Sequence, residues 1–313
     1  MTDSEVGGPG SVGLSAPVDH PSSPDAAPPV GRGRNRTARF AWGAVAVILV
    51  AVIALVTYAL TDPTPRQQAV QRAATAPAVV AQLANVPMSV FDAVGTTVTD
   101  TTLTAPLVLS GQPTLREAGK PEVLYVGAEY CPFCAAERWP LIVALSRFGH
   151  FAGLKNVQSA PLSVFPGIQS FSFVGSAYSS RYLAFTGVEL YSDAVDTEGT
   201  FTRIATLTPV QAATVAHYGQ RPGTPASPGT FPFVDIGNRM VTSTSGFSPA
   251  VLIKQSQGGI AGGLTQSTDP VTEAVVAAAN QLTAGICAAT GQQPVRVCSS
   301  KGVREAAASL GMA

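Results

Sequence analysis

Residues 121–149, PEVLYVGAEYCPFCAAERWPLIVALSRFG, decide the fold class of this chain. The short run at 123–127 is apolar and β-branched with one aromatic residue, which predicts a buried strand. Apolar residues then recur at helical spacing through 141–148, which predicts a helix. Cys131 and Cys134 therefore lie at a predicted junction between a strand and a helix, in a protein of the α/β class.

The spacing of these two cysteines predicts redox chemistry. Pro132 suits the first position of a helix, so Cys131 falls at the N-cap, where unpaired backbone amides lower a thiol pKa and favour the nucleophilic thiolate. Cys134, one turn further on, is expected to be more buried and to act as the resolving thiol. An inert structural disulfide is the alternative, but a bond across so small a loop stabilises little and is easily reduced.

Zinc is the other partner that a pair of thiols suggests, and a zinc site needs about four ligands. The remaining candidates are a distant cysteine pair and the histidines His20, His150 and His217, and none stands in ligand spacing with Cys131 and Cys134. The sequence therefore predicts neither a metal site nor a cofactor.

The first 60 residues predict a membrane anchor. The tail at 1–39 is expected to be disordered, because it is rich in Pro, Gly, Ser and Asp and lacks hydrophobic periodicity over its first 30 residues. Residues 40–60 form an apolar run of about 20 residues, long enough to cross ~30 Å of hydrocarbon as a helix in contact with the lipid bilayer. Acidic and basic residues number 19 each, so no nucleic-acid partner is expected.

The orientation of this predicted span follows from its flanks. Four arginines stand at 32–39, directly before the apolar run, and positively charged flanks stay in the cytoplasm. The N-terminus is thus expected in the cytoplasm and the C-terminal domain outside the cell membrane, where disulfides persist. A cleaved signal peptide and a buried core helix are the alternatives; the first usually has a shorter apolar region, and the second is rarely apolar all round.

The rest of the chain divides into a spacer and a domain. Residues 61–95 are predicted to form a juxtamembrane helical spacer, and residues 96–313 the extracytoplasmic domain. Alternating aromatic residues before 200 predict strands, and residues 209–218 predict a helix, so a β-rich and helical insertion follows the cysteine helix. Near the C-terminus, residues 258–263 predict a flexible glycine loop, and a long helix is expected from Asp269, forming a C-terminal helical extension.

The segment LYVGAEYCPFC at 124–134 resembles the active-site segment of the thioredoxin fold. The longer pattern, EYCPFCAAERW followed by YSSRYLAFTGVEL at 178–190, resembles a family of prokaryotic thioredoxin-like proteins classed as a domain of unknown function. This likeness covers roughly residues 94–256. It implies a thioredoxin-like fold. The buried strand acid that assists proton transfer in thioredoxins is replaced here by Tyr125, so Glu129, Glu137 or water would have to take that part.

The resemblance also implies a cis-proline loop before a β-hairpin, facing the cysteines. Pro232 is the candidate, since an X-Pro step, an apolar strand, a Gly-Asn turn and a second strand follow one another there. The backbone of Phe231 would then pair with a substrate strand held in mixed disulfide. Phe133, Phe231 and Tyr130 would line an apolar cleft for an extended polypeptide, although each could simply belong to the core.

Cys287 and Cys298 complete the cysteine inventory. Ten residues with a Gly-Gln-Gln-Pro turn separate them, so they can meet as a structural disulfide at the end of the long helix. The alternative is a relay pair that exchanges with Cys131 and Cys134.

The sequence therefore predicts a membrane-anchored thiol-disulfide oxidoreductase acting on envelope or secreted polypeptides, with Cys131 attacking, Cys134 resolving and Pro232 positioning the substrate. Its expected partners are polypeptide thiols and disulfides and a membrane or envelope redox partner. Two other classes stay open, a non-catalytic thioredoxin-like binding module and a metallochaperone that holds copper(I) with the same thiols.

Overall fold

The structure is a computed structural model that describes residues 36–61, 64–219 and 231–312. Within the first helix, side chains are described for residues 45–57. Contacts between residues divide the chain after Thr61, so the first helix is one unit and the elements from residue 62 onward form a second.

The described helices are labelled in chain order. They are α1 Arg36–Thr61, α2 Pro65–Val70, α3 Pro77–Ala84, α4 Met88–Val94, α5 Pro132–Ser146, α6 Pro209–Tyr218, α7 Gln257–Gly263, α8 Pro270–Ala289, α9 Val295–Cys298 and α10 Lys301–Ser309, with a 3-10 turn at Pro249–Leu252.

The described strands are labelled in the same way. They are β1 Leu107–Val108, β2 Arg116–Glu117, β3 Lys120–Gly127, β4 Gly149–Ala152, β5 Lys155–Gln158, β6 Gln169–Ser172, β7 Ala177–Ser180, β8 Ala184–Glu189, β9 Tyr191–Val195, β10 Phe201–Arg203, β11 Phe233–Ile236 and β12 Met240–Thr242.

A mixed sheet organises the second unit. Its path through the described residues runs β1, β12, β11, β3, β2, and β8 pairs with β3. β3 and β8 are parallel, with Gly127 opposite Glu189, whereas β11 lies antiparallel to β3 on the other side. α5 supplies the crossover that a parallel β3–β8 pair requires. The predicted α/β class is therefore confirmed.

Both faces of the sheet are buried, which explains why β3 reads as a continuous apolar run. Alternate strand residues point to opposite faces. One face packs in the main core with residues of α5 and α8, and it includes Val123, Tyr125, Val234 and Ile236. The other face packs with Val215 of α6, and it includes Leu124, Val126, Phe233 and Val241.

The region between α5 and residue 231 contains the expected strands and helix. Its described residues form three two-stranded sheets, β4 with β7, β5 with β6 and β9 with β10, and α6 occupies Pro209–Tyr218. The sequence placed the residues of β8 in the insertion, but the structure pairs β8 with β3 in the main sheet. The prediction of a flexible loop at 258–263 is wrong, because this segment forms α7. Ser256 caps the helix, and Ile260 and Ala261 are buried within it.

The part of the predicted spacer that follows residue 63 packs closely within the second unit. Its helices α3 and α4 contribute apolar side chains to the main core, namely Val79, Leu83, Val90, Phe91 and Val94. Ahead of them, Arg72 forms ion pairs with Asp193 and Glu129. This stretch therefore brings a cation to residues that adjoin the cysteine motif.

Among the described residues, α8 is long and apolar enough to cross a membrane, but 83% of its apolar window is buried, as in a core helix. The predicted span at 40–60 lies within α1, whose described apolar segment, Val45–Thr57, is shorter. Its large apolar side chains are exposed, Val47 and Leu55 both at 69%. Of the predicted disordered tail, residues 1–35 lie outside the described residues, and 36–39 begin α1.

Candidate functional site

The two central thiols lie where β3 ends and α5 begins. Cys131 is the N-cap of α5, with extended backbone angles, and Pro132 occupies the first helical turn, where a missing N–H costs nothing. The Sγ atom of Cys131 accepts a hydrogen bond from the backbone N–H of Cys134 at 3.4 Å. The sulfur thus takes the place of the side-chain oxygen that usually caps a helix.

The two thiols differ in exposure. Both are free cysteines; Cys131 is 7% exposed and Cys134 is fully buried. The Sγ atom of Cys134 accepts a hydrogen bond from the backbone N–H of Ala128 at 3.5 Å. Cys131 is consequently the thiol that an incoming molecule reaches first.

The two thiols also differ in acidity. A hydrogen bond from the Cys134 thiol, the backbone amides at the helix start and the positive charge of Arg138 together lower the pKa of Cys131 to about 7, against the opposing effect of burial. Burial raises the pKa of Cys134 well above its usual value, and the hydrogen bond that it donates to Cys131 raises it further. At neutral pH a substantial fraction of Cys131 is therefore thiolate while Cys134 keeps its proton.

A buried ion pair is linked to the dithiol through the backbone of Ala128. Arg138 of α5 donates from Nε and Nη2 to the carboxylate of Glu189 at 2.9 and 2.7 Å, and Arg138 is fully buried. Nη2 also donates to the backbone carbonyl of Ala128 at 2.8 Å. Ala128 is thus held both by Arg138 and by the sulfur of Cys134.

The sequence reasoning did not single out Arg138 or Glu189. Their meeting depends on the parallel register that sets Glu189 opposite Gly127 at the end of β3, and the chain alone does not reveal that register. An arginine four residues after Cys134, on the same face of a helix, is the signal that could have indicated one partner.

Glu129 and Glu137, named as substitutes for the missing strand acid, are both buried. Glu129 accepts a hydrogen bond from the hydroxyl of Ser172 at 2.6 Å and lies 3.0 Å from Nη2 of Arg72. Burial first, and the charge of Glu189 second, raise its pKa to about 7. Glu137 accepts a hydrogen bond from the backbone N–H of Gly246 at 2.7 Å, and burial raises its pKa to about 8.

Tyr125 fills the strand position where an acid was expected. Its side chain is fully buried, and its hydroxyl has no hydrogen-bond partner within the described structure. The ring lies 5.7 Å from the guanidinium of Arg138. A Cβ atom on Gly127 would stand 2.1 Å from the Tyr125 hydroxyl oxygen, so this close approach explains the glycine at the end of β3.

The three aromatic residues predicted to line a cleft lie near the thiols. Tyr130, Phe133 and Phe231 all pack against the buried cluster that contains both cysteines. The Tyr130 and Phe231 ring centroids are 6.1 Å apart. The peptide bond between Phe231 and Pro232 is cis, and Pro232 leads directly into β11.

The outer cysteines are joined, as predicted. Cys287 of α8 and Cys298 of α9 form a disulfide, with their Cα atoms 5.6 Å apart, and both residues are buried. In the part of the chain that the structure describes, no group of three or more His, Cys, Asp or Glu side chains could hold a metal ion.

The fold and the site together define an α/β protein with a free, asymmetric dithiol at a strand-to-helix junction. The chain belongs to the family described as a domain of unknown function, DUF929, whose family model matches residues 106–288. No curated protein and no solved structure matches the chain.

Proposed function

We propose that this protein is a thiol-disulfide oxidoreductase that acts on polypeptides outside the cytoplasm. The observation that carries the proposal is the asymmetry of the dithiol: Cys131 is a sulfur N-cap with a lowered pKa, and Cys134 is a fully buried, protonated neighbour. Exchange requires this arrangement, because the thiolate is the nucleophile and the second thiol must wait until the first has reacted.

The proposed reaction begins on the Cys131 thiolate. It attacks one sulfur of a substrate disulfide, forming a mixed disulfide and releasing the other substrate sulfur as a thiolate. Cys134 then loses its proton to that thiolate or to water and attacks the Sγ atom of Cys131. The substrate leaves with both sulfurs reduced, and the protein holds a Cys131–Cys134 disulfide with the two electrons transferred. The reverse sequence oxidises a substrate dithiol.

A thioredoxin-like fold is the architecture we assign to this activity. The order of the described elements supports it: a central strand leads into the cysteine helix, a parallel neighbour follows, and an antiparallel hairpin begins directly after Pro232. α8 then returns to pack against the cysteine helix. Phe231 lies beside the thiols, where its backbone would pair with an extended substrate strand.

We further assign α1 as a single membrane anchor at 40–60, with the N-terminus in the cytoplasm. The exposed apolar side chains of Val45–Thr57 support the anchor, and the arginines at 32–39 support its orientation. The Cys287–Cys298 disulfide suits an oxidising compartment outside the cytoplasm. A phosphatase fused after the C-terminus is expected to be active; an inactive fusion, or a soluble form that starts near residue 60, would contradict this assignment.

Alkylation kinetics on the reduced full-length protein test the thiol assignment. Iodoacetamide should modify Cys131 with a pKa of about 7 and leave Cys134 unmodified until the protein unfolds. Cys134→Ala and Cys131→Ala are matched variants, since only the first should retain the fast phase. Slow and equal alkylation of both thiols would instead favour a non-catalytic binding module.

A further inference from the structure

A cavity of about 450 Å³ is lined in part by Phe133, the residue between Pro132 and Cys134. Two loops form its walls, residues 100–104 and residues 244–249, and the rings of Phe133 and Phe165 complete it. Phe133 is the residue that directly precedes Cys134, and its side chain packs against the cluster that contains both thiols. The cavity therefore adjoins the cysteine motif through the side chain of Phe133.

The walls of the cavity are tied to each other. The backbone N–H of Thr104 donates to the carbonyl of Gly246 at 2.7 Å, and the N–H of Ser248 donates to the hydroxyl of Thr101 at 3.3 Å. Gly246 is also bound to α5, since its N–H donates to a side-chain oxygen of the buried Glu137 at 2.7 Å. The cavity is thus fixed to the helix that carries the dithiol.

The lining combines aromatic rings with hydroxyl groups. Phe133 and Phe165 meet edge to face with centroids 5.7 Å apart, and Phe247, another lining residue, is buried. Threonine and serine side chains supply most of the remaining lining, and Asp100 carries its charge. Such a surface suits an apolar side chain that arrives with a neutral or positively charged backbone segment, and its charge disfavours an anion.

We propose that this cavity is a specificity pocket for the residue that flanks the reactive cysteine of a substrate polypeptide. It takes an apolar, preferably aromatic side chain, and Asp100 favours a basic residue beside it. Glutathione, which is small and carries extra carboxylates, lacks both features and is a poor substrate. This inference rests on the proposed oxidoreductase function and names the substrate class of the same dithiol.

Three disulfide probes test the proposal on the reduced full-length protein in detergent. The first is a short peptide disulfide with Phe and Lys beside its cysteine, the second has Gly in place of Phe, and the third is oxidised glutathione. Burial of one phenyl side chain predicts that the Phe peptide reacts roughly tenfold or more faster than the Gly peptide. Each rate is divided by the iodoacetamide rate of the same variant, which removes differences in thiol reactivity.

Thr102→Trp is the informative variant, because Thr102 is an exposed part of the lining and the indole ring of a tryptophan there would fill the cavity. It should reduce the Phe-to-Gly rate ratio to about one. Thr97→Trp is the matched control, an exposed threonine outside the lining, and should preserve the ratio. Asp100→Lys should lower the normalised rate of the peptide with Phe and Lys by roughly two- to fivefold, the range of an exposed charge pair.

The results separate this proposal from the function on which it rests. Equal normalised rates for all three probes, or a Phe preference that survives Thr102→Trp, would overturn the pocket while leaving an active oxidoreductase. Failure to react with every disulfide, glutathione included, would overturn the oxidoreductase function itself.

Discussion

The charge of Arg138 should control the reactivity of Cys131, and its partner Glu189 should oppose it. Arg138 is fully buried, and its Nη2 atom lies 2.7 Å from a Glu189 oxygen. The positive charge lowers the pKa of Cys131. Glu189→Gln removes the opposing charge and should lower that pKa below about 7, whereas Arg138→Met should raise it toward the free-thiol value of about 8.5.

The size of the effect follows from the titration curve. At pH 7 a thiol of pKa about 7 is half ionised. A rise of the pKa to roughly 8 leaves about one tenth as thiolate, so the alkylation rate at pH 7 should fall about fivefold. Removing one partner of a buried pair also destabilises the fold by about 3–5 kcal/mol, because the other charge is left uncompensated. Arg138→Met with Glu189→Met avoids this cost and should move the pKa of Cys131 less than Arg138→Met alone, because the two opposing charges are removed together.

The assay is the rate of iodoacetamide alkylation between pH 5 and pH 10 on each folded variant. Arg147→Met is the matched control, since Arg147 caps the far end of α5, about 24 Å away along the helix. It should change stability without moving the Cys131 titration. If the two single variants shift the titration in the same direction, or if Arg138→Met leaves it at about 7, the charge of Arg138 does not control the reactivity of Cys131 and Arg138 acts only on the stability of the fold.

Three further outcomes concern stability. Burial raises the pKa of Glu137 to about 8, above its unfolded value of about 4.3, so its protonation stabilises the fold below pH 4 and that contribution is lost as the pH rises toward 8. The free energy of unfolding measured in urea should therefore fall by up to about 1.4 kcal/mol per pH unit across this window, and the Glu137→Gln variant should lack this fall. Equal slopes in the two proteins would contradict the assignment. Replacing Cys287 and Cys298 together by serine should cost about 2–5 kcal/mol and leave thiol exchange intact, whereas loss of turnover without loss of stability would indicate a relay. Tyr125→Phe should raise the free energy of unfolding by about 1 kcal/mol, because it removes a buried hydroxyl without a partner in the described structure, and a decrease would imply a partner outside it.

The position of the dithiol could be predicted because local rules determine it. A β-branched run, an N-cap cysteine and a proline at the first helical position act over fewer than ten residues. The structure places Cys131 at the N-cap of α5 and ends β3 at Gly127, in agreement with that reading. The Cys287–Cys298 disulfide could be predicted for the same reason, since a short turn joins the two helices that carry these cysteines.

The charged groups around the dithiol depend instead on contacts between distant segments. Glu189 reaches Arg138 across 51 residues, and Arg72 reaches Asp193 across 121 residues. Hydrophobic periodicity carries no information on such pairings. The prediction of a spacer missed Arg72 for this reason. The composition of residues 61–95 resembles a helical stalk, whereas the role of Arg72 depends on the residues with which it pairs.

The glycine-rich segment at 258–263 shows how tertiary contacts override local propensity. Glycine weakens a helix by about 1 kcal/mol per residue, which is why a loop was expected. The Ser256 cap and the burial of Ile260 and Ala261 against the core offset that cost.

The most direct test of the central claim is covalent trapping by Cys134→Ala in membranes. Without the resolving thiol, the mixed disulfide formed by Cys131 should accumulate as adducts with extracytoplasmic polypeptides that a reducing agent releases. Cys131→Ala with Cys134→Ala is the control and should give none. Abundant adducts in the single variant alone are the predicted result; their absence, with Cys131 still reduced and reactive toward iodoacetamide, would contradict disulfide exchange as the function of this dithiol.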